Sequence, residues 1–420
     1  MSKIARIPPP DLVLAIDLGG SKTKAIAVAY ASGAKPVLLC MEPEVADVSY
    51  ASLQDYEQNK SGTSEPEDTC WIGVGDDYHA VGFLAQHKYG GNSLLKQLKE
   101  ASAIPKICGA LWVLREKLGL DNKLKVALTV LLPPSEYQDK ESLLVKLTSA
   151  LECFRTPTGE MRVKLLLFDA KSEGAGMYLH RRAVLGDDIN NRALAIAMVG
   201  YRNASVLMSV RGTVSPGLTS EFGMAWMVDA FVRRTSGLHK EDPRLIPAIV
   251  EAGASCLHEP LTRLVRKKNP LEIEAEAIRM AEALKLSRDD YFRALVRWLS
   301  QQIPVDIDEI IFCGGTAEYL KEELVAHWSH TYVIWNGGIE IPPQLDTAGM
   351  GSRIGDVLAL YKAFITRINL LQNRKQTSNA DESTSNKSFP VDQQHKLLVG
   401  AVHSKERKKP KGFLDMPEKL

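Results

Sequence analysis

Asp17-Leu-Gly-Gly-Ser-Lys-Thr-Lys24 gathers groups suited to holding a phosphate into one short stretch. Gly19 and Gly20 permit a tight turn in which successive backbone N–H groups converge on an anion. Ser21 adds a hydroxyl donor and Lys24 a positive charge for phosphate oxygens. Asp17, at the end of an apolar run, is the residue type that holds water around Mg²⁺, a cation that takes few protein carboxylates and keeps its waters. The same residues would also build a plain surface hairpin, and the motif alone leaves both readings open. A second candidate is Cys313-Gly-Gly-Thr316, set between a β-branched run and a helical pattern. A glycine pair there lets a flat base or a phosphate approach the backbone beside a helix N-terminus. An ordinary strand-to-helix turn has the same look. Neither G-x-x-x-x-G-K-S/T nor G-x-G-x-x-G occurs at these two sites, so a P-loop or Rossmann site is not expected.

A third candidate comes from an internal repeat. Setting Asp17 opposite Met198 aligns DLGGSKTKAI with MVGYRNASVL, so that Gly19 meets Gly200, Ser21 meets Arg202 and Lys24 meets Ser205. Both segments follow apolar strand-like runs, which suggests two similar α/β halves facing one cleft.

These residues need elements to position them. The run 12–30 reads as strand, turn, strand, and KPVLLCM as a further strand. The Ser-, Gly-, Pro- and acid-rich segment 47–68 reads as a mobile loop. Apolar spacing predicts a helix over 92–118, then the strand VALTVLL ending at Pro133-Pro134-Ser135. An amphipathic helix over KESLLVKLTSALECF, the buried strand VKLLLFDA and a helix near 175–185 follow. After the polar joint GDDINNR comes the second strand-turn-strand. Helices dominate 222–302 with breaks at Pro243 and Pro270, and IIFC, YVIW and 351–369 read as strand, strand and final helix. From about residue 372 the Ser-, Asn-, Lys- and Gln-rich composition predicts a disordered tail.

The order of the motifs (D-x-G hairpin, second glycine hairpin, IIFCGGT) resembles the superfamily of actin, sugar kinases and heat-shock chaperone ATPases. Asp17 and Lys24 are spaced as in the actin branch. MEPEVADV, AVGFLA, the Pro-Pro turn, GTVSPGLTSEFGMAWMVDAFVRRTSG and GMGSRIGDVLALYKAF are similar to prokaryotic actin-like proteins of the ParM/StbA plasmid-segregation type. The resemblance covers roughly residues 11–370 and implies an α/β fold of two duplicated, ribonuclease-H-like domains flanking a nucleotide cleft. Domain I would span 11–188, domain II 189–371 with a helical subdomain near 222–302, and the tail 372–420. Carried over by position, Asp17 would hold Mg²⁺ through water, and Gly19, Gly20, Ser21, Lys22 and Lys24 would hold the phosphates of ATP or GTP. Gly314, Gly315 and Thr316 would line the nucleoside, and Glu173 would orient the attacking water, with Lys171 as the other candidate. The second loop departs from the family pattern D-x-G-x-x-T: Met198 and Asn203 stand at the acidic and threonine places. Methionine cannot position a metal-bound water, so Gly200, Arg202 and Asn203 are left to meet the phosphates, Arg202 by charge and Asn203 by hydrogen bonding. The expectation is nucleotide binding with slow or altered hydrolysis, coupled to a head-to-tail filament that works through a DNA-binding adaptor. A sugar kinase of the same superfold and a non-hydrolysing scaffold are the alternatives. A kinase needs a general-base Asp, for which Asp76 and Asp77 are the conspicuous offer.

Weaker candidates are Glu323, His327 and His330, one face of a helix if it runs that far; the stripe Phe222, Met224, Trp226, Met227, Phe231, expected in the core; and Arg263, Arg266, Lys267 and Lys268, a basic helix end. The chain has 420 residues, 45% hydrophobic and 25% charged, which fits a soluble globular protein. Scattered cysteines, no CxxC pair and no long apolar run point to reduced thiols, no membrane segment and a cytoplasmic setting. The net charge of +1 divides unevenly: residues 373–420 carry ten Lys or Arg against six Asp or Glu, and the remainder 42 against 45. Direct nucleic-acid binding is therefore expected only through the tail, whose charge would otherwise serve solubility.

Overall fold

The computed structural model describes residues 7–91 and 99–372. The first half supplies strands β1 (Leu12–Leu18), β2 (Thr23–Ala29), β3 (Val37–Met41), β4 (Val45–Asp47), β5 (Trp71–Val74), β6 (Asp77–Val81), β7 (Lys123–Leu132), β8 (Phe154–Thr156) and β9 (Gly159–Ser172). Its helices are α1 (Tyr50–Asn59), α2 (Phe83–Lys88), α3 (Lys99–Leu118), α4 (Lys140–Glu152) and α5 (Ala175–Leu185). The second half holds β10 (Ala193–Val199), β11 (Ala204–Val210), β12 (Thr213–Val214), β13 (Leu218–Ser220), β14 (Glu309–Cys313) and β15 (Tyr332–Trp335). Its helices are α6 (Met224–Arg234), α7 (Leu245–Ala252), α8 (Pro270–Gln302), α9 (Gly315–Tyr319), α10 (Lys321–His327) and α11 (Gly355–Leu371).

One sheet runs β3-β2-β1-β7-β9-β8-β5-β6-β4, the other β12-β11-β10-β14-β15 with β13 beside β11. Each contains the same unit. An antiparallel meander leads from its first strand, β1 or β10, and that strand pairs in parallel with one that arrives after helices, β7 or β14. Parallel central strands are covered on both faces, which is why LVLAIDL is apolar without alternation and buried throughout. The repeat seen in the sequence is thus a repeat of topology, and Asp17 opposite Lys24 occupies the register place of Met198 opposite Ser205.

Side chains alternate between cores along each strand. Leu12, Leu14 and Ile16 pack with α3 and α4, whereas Ala195, Ala197 and Val199 pack with α6, α7 and α8. The intervening residues Val13, Ala15, Leu194 and Ile196 meet in a third core with Met177 of α5 and Val357, Leu360 and Phe364 of α11. Two helices therefore share one core with both sheets.

Two expectations change. Segment 47–68 is not a loop throughout: Ser49 accepts the Ser52 N–H at 3.2 Å and starts α1, whose Leu53 is fully buried. Trp71 Nε1 donates to Glu57 at 2.8 Å and ties that helix to β5. The helix expected over 92–118 is described from Lys99; residues 92–98 and the tail from 373 lie outside the described residues. The helix carrying Glu323 ends at His327, so His330 leaves its face. No helix among the described residues is long and apolar enough to cross a membrane.

Candidate functional site

The β1–β2 hairpin places Asp17 and Lys24 directly across from each other. Lys24 Nζ lies 2.5 Å from Asp17 Oδ2 and donates at 3.1 Å to the Arg353 carbonyl. Both side chains are nearly inaccessible, and buried charges of this kind persist only when matched. At the turn, a Cβ on Gly19 would stand 2.6 Å from the Lys22 carbonyl oxygen, so the loop closes only around glycine. Lys22 pairs with Glu42. Ser21 Oγ accepts from Arg353 Nη2 at 3.1 Å.

The second hairpin and the glycine pair form one piece. The Gly200 N–H donates to the Asn203 carbonyl at 2.9 Å, closing the turn. The Gly200 carbonyl accepts from Thr316 Oγ1 at 2.9 Å and from the Met224 N–H at 3.1 Å. Gly314 has φ +96°, and a Cβ there would lie 2.4 Å from the Val199 carbonyl oxygen, so strand β14 can end against β10 only with glycine. A Cβ on Gly315 would touch the Arg353 side chain at 3.3 Å. Arg353, from the turn before α11, thus bridges the first hairpin and the glycine pair. Its burial pulls the guanidinium pKa down, against the pull of Cys40 and Asp17. Sequence reasoning did not single it out; an Arg between two glycine-rich turns was the available signal.

Arg202 is placed differently from a free phosphate ligand. Its Nη1 lies 3.2 Å from Oε1 of Glu136, a buried residue after the Pro133-Pro134 turn. The backbone there is close too: a Cβ on Gly217 would meet Pro134 Cγ at 2.7 Å. Met198, half-buried opposite Ser205 and beside Cys313, leaves no carboxylate at its place. Burial holds the Cys313 thiol well above its ordinary pKa, so it is inert.

Glu173 follows β9, is buried, and donates its N–H to the Leu132 carbonyl at 2.8 Å. The rival Lys171 is paired with Asp169 at 3.0 Å, and Arg367 reaches the same carboxylate. Next to Glu173, Gly174 takes φ +85° to enter α5. Its N–H donates at 2.7 Å to Asp356 Oδ2, and the Met177 N–H donates at 3.1 Å to Asp356 Oδ1. Burial pushes the Asp356 carboxyl up to about 7; Asp17 and Glu173 push the same way, and the two N–H groups oppose them. Asp356 escaped the sequence reading because one acid opening an apolar helix resembles an ordinary first-turn residue.

No protein-family model matches this chain, and no curated protein matches it. Solved structures do. Ta0583, an archaeal actin homolog, superposes with a TM-score of 0.54 at 15% identity, over 84% of this chain and 99% of that one. The fold is actin-like. A ParM from a 15-stranded filament of Clostridium botulinum gives a TM-score of 0.54 at 16% identity over 84% and 99%. Ta0583 in complex with ADP gives 0.52 at 14% identity, again over 84% and 99%. The actin-like comparison spans both repeated sheets, so the duplicated α/β architecture implied by the motif order is borne out.

Proposed function

We propose that this chain binds a nucleoside triphosphate, ATP or GTP, with Mg²⁺ between halves 11–188 and 189–371, and assembles head-to-tail into filaments. Hydrolysis is slow or altered, and the filaments serve DNA segregation in the cytoplasm through an adaptor protein. The observation that carries this reading is the convergence of three separated motifs. Arg353 donates to Ser21 and its side chain packs against where a Cβ on Gly315 would stand, while Thr316 is bonded to Gly200. Turn N–H groups, buried cations and a glycine-lined approach together suit an anion joined to a flat base. Filament formation is supported by the actin-like fold, since ParM from Clostridium botulinum and Alp12 are both solved as filaments.

In this reading Ser21, Lys22 and Lys24 hold phosphate oxygens, Asp17 holds a water of the metal ion, and Glu173 accepts a hydrogen bond from the attacking water. Mg²⁺ would supply charge neutralisation at the phosphates. With Met198 at its acidic place, the second hairpin offers no acid to order a metal-bound water, and the hydrolytic step slows. Among the described residues no group of three or more His, Cys, Asp or Glu could hold a metal directly.

Light scattering and pelleting with and without ATP and Mg²⁺, paired with phosphate release, test the reading. The expected result is nucleotide-dependent polymer with phosphate release slower than from ordinary actin-like filaments. Soluble monomers that phosphorylate a hexose would favour the kinase, and binding with neither outcome the scaffold. The kinase is disfavoured by Asp76 and Asp77, which lie exposed at the β5–β6 turn, separated from β1 by several strands.

A further inference from the structure

We propose that Asp356 is a positioning residue for Glu173: the last helix caps the helix that Glu173 precedes, and so sets where the Glu173 carboxylate lies. This rests on the reading of Glu173 as the group that orients water. A helix N-terminus leaves its first N–H groups without intrahelical acceptors. Helix α5 has no side-chain cap of its own, and its first turn contains no acid. Asp356 supplies both acceptors from the far end of the chain, taking the Gly174 and Met177 N–H groups on separate oxygens.

The consequence for Glu173 is local. Its own N–H is held by the Leu132 carbonyl at 2.8 Å, and the next N–H is held by Asp356 at 2.7 Å. Two consecutive peptides are therefore clamped, one by the β7 end and one by α11, and the Cα–Cβ direction of Glu173 is fixed between them. Asp356 has little freedom to go elsewhere. Helices α5 and α11 meet backbone to backbone at Gly176, where a Cβ would stand 2.1 Å from the Asp356 carbonyl oxygen. Once ionised, Asp356 accepts fully on both oxygens; an amide offers one acceptor and turns an NH₂ toward an N–H donor. Asp356 does not touch the nucleotide in this scheme. It acts through the residue that contacts the water.

The test uses the full chain, with Asp356→Asn, Glu173→Gln and the double variant. Phosphate-release kcat and KM are measured together with the ATP Kd. Displacement of a water-orienting group by about 1 Å costs roughly 100-fold, so Asp356→Asn should lower kcat roughly 10- to 100-fold while the ATP Kd stays within about twofold. On the Glu173→Gln background the same change should alter kcat by less than about twofold, because the group being positioned is already gone. A purely structural cap would give a different pattern: unchanged kcat, or the same fractional loss with and without Glu173. Either result overturns the proposal. Should Asp356→Asn fail to fold, Asp356→Ser carries the same comparisons. Wild-type protein that binds ATP but releases no more phosphate than Glu173→Gln overturns the role of Glu173 and this inference with it. Wild-type protein that binds no nucleotide overturns the proposed function itself.

Discussion

The Arg202–Glu136 pair joins loops from different halves of the chain, and its burial decides how it answers to substitution. Glu136 is only 2% exposed, so its carboxylate depends on nearby charge and hydrogen bonds far more than a surface acid does. If Arg202 exchanges Glu136 for phosphate when nucleotide arrives, Glu136→Gln lowers the cost of that exchange. A charge-assisted hydrogen bond contributes about 1 kcal/mol more than a neutral one, so the variant should tighten ATP roughly fivefold and leave adenosine unchanged, while Arg202→Ala weakens ATP. Titration calorimetry on both ligands checks this. Weaker ATP binding by Glu136→Gln would instead assign Arg202 to the seam between halves. Asp17 and Lys24 could be read from the sequence because a hairpin register is local. Glu136, Arg353 and Asp356 reach their places through tertiary contacts that no short spacing encodes.

At the scale of elements, the contact between α5 and α11 gives the fold a pH dependence of known sign. The Asp356 carboxyl titrates at about 7 in the folded protein, above the ordinary carboxylate range. Between the two values the folded chain binds a proton that the unfolded chain has released, so stability falls as pH rises and the contribution is lost through pH 7. Thermal unfolding from pH 5 to 8 should show this decline in the wild type and a flatter profile in Asp356→Asn; identical profiles would remove Asp356 as its source. Helix α1 teaches a different lesson about legibility. Its stretch is polar enough to read as loop, and what orders it is one buried side chain, Leu53, plus the Trp71–Glu57 bond across to β5. Leu53→Ala should therefore destabilise the protein by about 2–5 kcal/mol in urea unfolding, as for other buried leucines. A cost near zero would mean the segment contributes nothing to the fold. The central strands, by contrast, were legible, because centrally paired parallel strands must be continuous apolar runs, whereas the short strands β4, β5, β6, β8, β12 and β13 carry no such run and were not read.

For the whole molecule, the two sheets repeat one strand order around a shared core, whereas charge is distributed without that symmetry. The residues before 373 carry 42 basic against 45 acidic side chains, and residues 373–420 carry ten against six. The slight acid excess before residue 373 gives no overall electrostatic attraction to DNA, whereas KERKKPK at 405–411 does. Ending the chain at Gln372 leaves the α11 terminus intact, since Gln372 Nε2 donates to the Ile7 carbonyl at 2.5 Å and its N–H to Ile368. The truncated chain should therefore polymerise with ATP as the full chain does. On a DNA column at low salt the full chain should elute later than the truncated one, and the difference should shrink as salt rises, because released counterions drive such binding. Equal elution would leave the tail charge to solubility and pass every contact with DNA to the adaptor. Loss of polymer on truncation would instead make the tail part of the assembly.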